Sequence, residues 1–346
     1  MTTRRHRIAV VSAGGFARAR HIPTYKASEC ADLVACCDMN ERLVKETCRE
    51  FGIPVAYTSL EDMLERERPE IVAIVTAPPS HVPLARMCVD AGSHVLVEKP
   101  FTEDYDEFLE FQEYCASKPV KVMVSQNYRF QNPAIGMRRV IDGGEIGGVY
   151  WCELSLANSA GPRPVDNRKY RGPFVNIGVH VLDLARFYVG RPVVRVFAPR
   201  MRVPHAAGIA YPFDEIQLWF DNGAHAVARM DWTVRGHEEW ITTRVQGTKG
   251  SALCVYPQSP DVIVQRPDGA ESVTHVDEKD DSLRRVIAHF VDCIENDTEP
   301  STGLADNRGT VEALLAAYVS CRTGRAVELP AERELLSSLE SVRVTA

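Results

Sequence analysis

Short β-branched or apolar runs alternate with longer helical patterns through the first 125 residues of this 346-residue chain, and no other feature restricts its fold so tightly. Ile8 to Val11, Leu33 to Cys37, Ile71 to Val75, His94 to Val97 and Lys121 to Val124 are apolar along nearly their whole length. Strands of that kind are buried on both faces, as in a parallel sheet. The intervening segments Phe16–Ser28, Glu41–Phe51, Ser59–Arg66, Pro83–Ala91 and Tyr105–Ala116 read as helices. Such repetition builds a doubly wound sheet with helices on both sides.

After about Asn127 the rhythm changes. Helices are expected over Ala134–Ile141, Val179–Val189, Ser282–Asn296 and Asn307–Arg322. Strands are expected over Val149–Leu156, Val193–Met201, Glu215–Phe220, Ala224–Trp232, Trp240–Gln246 and Ala252–Val255, with Asp221-Asn222-Gly223 as a hairpin turn. The expected organisation is therefore α/β with two domains, 1–126 and 127–346, the second built on an antiparallel sheet and its last helix packing back on the first.

Composition narrows the partners. With 40 Lys+Arg against 47 Asp+Glu, a net charge of −7, the chain lacks the basic excess of a nucleic-acid binder. Ten scattered cysteines without a Cys-x-x-Cys pair give neither a disulfide framework nor a zinc site, so no metal is expected and a reducing cytoplasm fits. The basic start Thr2–Arg7 precedes an apolar run, Ile8–Val11, too short for a signal core, and no run of membrane-spanning length occurs. A small molecule is the expected partner.

Four places carry chemistry. Ser12-Ala13-Gly14-Gly15-Phe16-Ala17 follows the first strand, where backbone amides at a helix start can bind a pyrophosphate. Ser12 and Ala17 stand in the outer positions of G-x-G-x-x-G, so a plain strand-to-helix turn also fits. Asp38 ends the second strand 24 residues after Gly14, placed to accept the ribose hydroxyls of NAD and to repel the 2′-phosphate of NADP, or else to cap the helix Glu41–Phe51. Glu98-Lys99-Pro100 follows the fourth strand at the sheet edge where ligands bind, although a surface lysine also fits. Asn176, His180 and Asp183 stand at i, i+4 and i+7, so a helical segment would put all three on one face, where His180 can exchange the proton of a carbinol while hydride leaves its carbon, or can be a half-buried histidine paired with Asp183.

In order and spacing these segments resemble the Gfo/Idh/MocA oxidoreductases, the family of glucose-fructose oxidoreductase and inositol dehydrogenase. The resemblance spans nearly the whole chain. It rests on Ala13–Arg18 with His21 and Pro23, Ala91–Pro100, Asn127–Pro133, Gly143–Gly147, Gly178–Asp183 and Gly324–Pro330. It implies an N-terminal Rossmann domain, a C-terminal α/β domain with a large open, mainly antiparallel sheet, a bound NAD (NADP less so), and homodimers or homotetramers formed through that sheet. Lys99 would lie beside the nicotinamide, in a peptide before proline that is often cis in the family. Ser12, Gly14, Gly15, Phe16, Ala17, Asp38, Thr76, Pro78, His81, Glu98, Gln126 and Asn127 would line the cofactor path.

Departures from the family pattern fall on the substrate side. The family's aspartate four residues before the catalytic histidine is Asn176 here, and Tyr170 and Arg171 replace two glycines. An amide keeps the shape but has no proton to exchange, which leaves catalysis to Lys99 and His180. Tyr128, Arg129, Glu153, Arg163, Lys169, Tyr170, Arg171 and Asp183 are the candidates for contact with a sugar, inositol or related polyol. Three other readings stay open: a ketoreductase of deoxysugar or secondary metabolism, a non-catalytic dinucleotide sensor, and redox-neutral glycoside cleavage through a transient ketone.

Overall fold

The computed structural model describes residues 4–157, 178–199, 213–231, 240–256, 259–276 and 281–337, which fall into two compact units. The first comprises Met1–Asn127 with Asp281–Arg308, and the second Tyr128–Asp280 with Gly309–Ala346.

Six strands form the first unit's sheet: β1 (His6–Val11), β2 (Ala31–Cys37), β3 (Val55–Tyr57), β4 (Ile71–Ile74), β5 (His94–Val97) and β6 (Val122–Val124). Their order is β3-β2-β1-β4-β5-β6, and every pairing is parallel. This is the doubly wound order expected, with one strand more than the sequence reading gave. At three half-buried residues, β3 is too short to leave a periodic signal. The helices are α1 (Ile22–Ala27), α2 (Glu41–Phe51), α3 (Leu60–Glu67), α4 (His81–Asp90) and α5 (Tyr105–Cys115). Asn40, Ser59 and Asp104 cap α2, α3 and α5 by accepting from Leu43, Asp62 and Glu107 amides. The expected helix Phe16–Ser28 is a wide π-type turn, Ala17–His21, running into α1. Strand order reverses between β1 and β4, so the loops that follow these two strands flank the switch point.

In the second unit, α6 (Asn132–Asp142) and α7 (Val179–Val189) accompany a nine-stranded sheet of β7 (Val149–Ala157), β8 (Val193–Phe197), β9 (Phe213–Phe220), β10 (His225–Asp231), β11 (Trp240–Gly247), β12 (Gly250–Tyr256), β13 (Val262–Gln265), β14 (Glu271–Thr274) and β15 (Val327–Glu328). The order is β14-β13-β12-β11-β7-β10-β9-β8-β15, with only β7 and β10 pairing in parallel. β13, β14 and β15 extend the six strands read from sequence. Only Gly223 of the Asn-Gly pair uses positive φ, at 81°, in a three-residue hairpin loop.

Parity along β7 defines the two faces of this sheet. Cys152, Leu154 and Leu156 are fully buried on the side against which α7 lies, whereas Trp151, Glu153 and Ser155 point the other way and are half-buried. α7 itself is apolar around most of its circumference and buries all but two of its residues. A helix of that kind belongs to a core. Two of its polar members, His180 and Asp183, are carried into the interior with it.

The chain closes with α8 (Ser282–Glu295), α9 (Leu304–Thr323) and α10 (Arg333–Ser337). α8 groups with the first unit, where Phe290 packs edge-on against His94 and Glu295 reaches His6. Thr302, just before α9, brackets β6 by accepting the Val124 amide and donating to the Val124 carbonyl. Among the described residues no helix is long and apolar enough to cross a membrane.

Candidate active site

The turn after β1 is built by short-range hydrogen bonds. Ser12 adopts φ 119°, a glycine-like conformation at the first glycine position of the motif, and its hydroxyl accepts the Gly14 amide at 3.0 Å. A side chain on Gly15 would meet nothing within 4 Å, so this stretch of backbone stays open to an approaching phosphate, while Phe16 beside it is exposed. Asp38 accepts the Ala13 amide at 2.8 Å and the Asn40 amide at 2.9 Å. The cap of α2 is Asn40, which removes the alternative that Asp38 serves only as that cap. The carboxylate instead ties the end of β2 to the open turn. These features fit a dinucleotide, with Gly14 and Gly15 against its phosphates and Asp38 against a ribose.

On the other side of the switch point, Thr76, Pro78 and His81 follow β4. Ser80 lies 2.8 Å from the Thr76 hydroxyl, and the His81 ring faces the Thr76 and Pro100 carbonyls at 3.0 Å each. Burial pushes His81 below its ordinary pKa, and as a neutral ring it has one N–H, which donates to one of the two carbonyls. The Lys99–Pro100 peptide is cis.

Beneath Lys99 lies a chain of buried polar groups that sequence reading did not assemble. Tyr25 Oη is 2.9 Å from His21 Nδ1, and His21 Nε2 is 3.0 Å from Glu98 Oε1. Burial alone would raise the Glu98 carboxyl, yet His21, Lys99 and Ser125 hold it below its usual value. Burial and the Glu98 charge raise the Tyr25 phenol in turn. The i,i+4 spacing of His21 and Tyr25 was a readable signal; their meeting with Glu98, across 77 positions of sequence, was not. Gln126 is 1% exposed, and neither atom of its amide has a hydrogen-bond partner among the described residues, leaving a donor and an acceptor available to a ligand. Asn127 donates to Ser282 at 3.4 Å.

In the second unit, His180 is 4% exposed, and the Tyr128 ring stacks on it with centroids 3.9 Å apart and planes 5° apart. Arg129 and Asp183, expected to line a substrate pocket, instead bind each other: Arg129 Nε and Nη2 donate to the two Asp183 oxygens at 2.6 Å each, with both side chains buried. Glu153 is likewise engaged elsewhere. Strand parity turns it away from α7, onto a ladder in which Arg229 contacts Glu215 at 3.0 Å and Glu153 at 2.8 Å, with Arg244 3.8 Å from Glu153. Asn176, Arg163, Lys169, Tyr170 and Arg171 lie outside the described residues. No group of three His, Cys, Asp or Glu that could hold a metal occurs among the described ones.

Comparison with known proteins extends this picture. Residues 6–126 match the model of an oxidoreductase family with an NAD-binding Rossmann fold, and residues 135–253 match the GFO/IDH/MocA C-terminal domain. The chain is 27% identical over 345 residues to a D-apiose dehydrogenase of Paraburkholderia graminis, covering 95% of this chain and 91% of that one. It is 25% identical to a scyllo-inositol 2-dehydrogenase (NAD(+)) of Bacillus subtilis, covering 94% and 97%. Among solved structures, an oxidoreductase from Agrobacterium radiobacter in complex with NAD+, L-tartaric acid and magnesium superposes with a TM-score of 0.83 at 23% identity, over 94% of this chain and 98% of that one.

Proposed function

The chain belongs to the GFO/IDH/MocA oxidoreductase family, and from that premise we propose that it is an NAD-dependent dehydrogenase of a secondary alcohol on a sugar, inositol or related polyol. The observation that carries the reading is the buried Tyr25–His21–Glu98 chain directly beneath Lys99, in a unit whose open glycine turn and Asp38 suit NAD. The relatives' names, a sugar dehydrogenase and an inositol dehydrogenase, support the substrate class.

A bound nicotinamide would supply the hydride acceptor, and the chain's own side chains supply the proton chemistry. Lys99 donates a hydrogen bond to the carbinol oxygen and stabilises the negative charge that grows there as its proton departs. His180 takes that proton as general base. Asn176 orients a neighbouring hydroxyl, acting as donor or acceptor without exchanging a proton. Lys169, Tyr170, Arg171 and Arg163 remain our candidates for the rest of the substrate, and a guanidinium among them suits one bearing an anionic group.

The test is NADH absorbance at 340 nm during incubation of the purified protein with NAD or NADP and a panel of inositols, aldoses, sugar acids and their keto forms. Turnover with NAD sustains the proposal. Dinucleotide binding without absorbance change on any member would overturn it, in favour of redox-neutral chemistry or a sensor. Cofactor choice has its own check. Asp38→Ala removes the charge that opposes a 2′-phosphate, and the ratio of NAD to NADP affinity should fall about 10- to 100-fold, the equivalent of one buried charge-assisted hydrogen bond. An unchanged ratio in fluorescence titrations would remove Asp38 as selector.

We assign self-association to the sheet face turned away from α7. Trp151 and Trp219 flank His225 there with ring centroids 4.9 and 4.7 Å away, and Trp240, Ile263 and Val273 are exposed in the same sheet. An apolar patch of this kind with a charged ladder through it has the makeup of an isologous interface. Light scattering should give a dimer or tetramer for the native chain and a smaller species for Trp219→Arg. A monomeric native chain would refute the assignment.

A further inference from the structure

The segment Asn127–Phe130 forms one tight 3-10 turn, and two neighbouring residues in it face α7 in different ways. Arg129 grips Asp183 through two hydrogen bonds of 2.6 Å, Thr310 donates to the same carboxylate at 2.9 Å, and the Arg129 guanidinium also lies 5.1 Å over the Phe187 ring. A planar fork bound to both oxygens fixes orientation as well as distance. Asp183 stands three residues after His180, on the same side of the helix. Tyr128, next to this anchor, lies flat on His180 with centroids 3.9 Å apart and planes within 5°.

That geometry is a close, parallel stack, which is not the arrangement aromatic pairs prefer. Aromatic pairs favour offset or edge-on arrangements, with centroids about 4.5–7 Å apart. The bidentate pair one residue away supplies the restraint. A face-on cover also has a directional consequence, because both imidazole nitrogens lie in the ring plane and their lone-pair and N–H directions are confined to it.

We infer that Tyr128 is a positioning residue whose ring sets the plane of the His180 imidazole, with Arg129–Asp183 as the anchor that holds it there. The inference rests on the reading of His180 as the general base, and it assigns the role to the ring of Tyr128, not to its hydroxyl. A substrate-binding tyrosine would differ at that hydroxyl.

The experiment uses the full chain with labelled histidine, the His180 ring protons being assigned by comparison with His180→Asn, alongside kinetics on whichever of scyllo-inositol, D-apiose or D-xylose turns over. In the native chain the His180 ring protons should be displaced upfield by the stacked ring. Tyr128→Phe should keep that displacement and hold kcat and KM within about twofold. Tyr128→Leu should lose it, with kcat down about tenfold or more, KM little changed and the NADH dissociation constant unaltered. Tyr128→Trp, which restores a ring, should recover part of kcat and so separates positioning from loss of folding. A tenfold rise in KM for Tyr128→Phe, or native kcat in Tyr128→Leu, would overturn the inference. Activity retained in His180→Asn would remove the general-base reading and the kinetic consequence with it, whereas His180 shifts unmoved in Tyr128→Leu would overturn the stack alone.

Discussion

Lys99→Ala should lower kcat/KM by about 10²- to 10⁴-fold while the NAD dissociation constant moves less than about threefold. The split follows from where the lysine sits. Its backbone amide donates to the Glu98 carboxylate at 3.2 Å, and that carboxylate is anchored by His21, so both of these contacts persist when the side chain is cut back to alanine. The glycine turn and Asp38 belong to the loops after β1 and β2 and are tied to each other, not to Lys99. Arginine should not rescue the variant, because a planar, forked guanidinium does not occupy the same point as the compact ammonium. Single-turnover NADH formation beside cofactor fluorescence titration checks both numbers. Retention of more than about a tenth of native kcat/KM would deny Lys99 its place in the chemistry.

Residues that act alone on the backbone were legible in the sequence, and those that act in pairs were less so. β1, β2, β4 and β5 announced themselves because a strand buried on both faces is apolar throughout. Lys99 stood out because it directly follows such a strand. By contrast, whether a charged residue faces a ligand or another charge depends on its distant partner. Arg129 and Asp183 are 54 positions apart, and nothing local separates a pocket lining from a buried pair. Glu153 was readable: Cys152, Leu154 and Leu156 alternate with it, and that parity already turns Glu153 away from the core. β15 pairs through only two residues, a length at which periodicity carries no information.

Arg129→Met should destabilise the folded chain by about 3–5 kcal/mol, because it strands the Asp183 carboxylate in the interior. Asp183 would keep Thr310 at 2.9 Å and an Arg186 nitrogen at 3.9 Å, which replaces neither of the lost 2.6 Å bonds. For domains of this size the melting temperature should fall by roughly 6–20 °C. The doubly substituted Arg129→Met, Asp183→Leu chain should recover more than half of that loss, since a buried pair exchanged for apolar side chains of similar volume is near neutral. Recovery of stability need not bring recovery of turnover. With the anchor gone, Tyr128 is no longer held against His180, and kcat should stay at least about tenfold below native in the doubly substituted chain. Calorimetry and steady-state kinetics on the same two preparations make the distinction. A melting point for Arg129→Met within about 2 °C of native would show that the pair contributes little to folding, and a doubly substituted chain with both native stability and native kcat would leave the Arg129–Asp183 pair no part in holding the histidine.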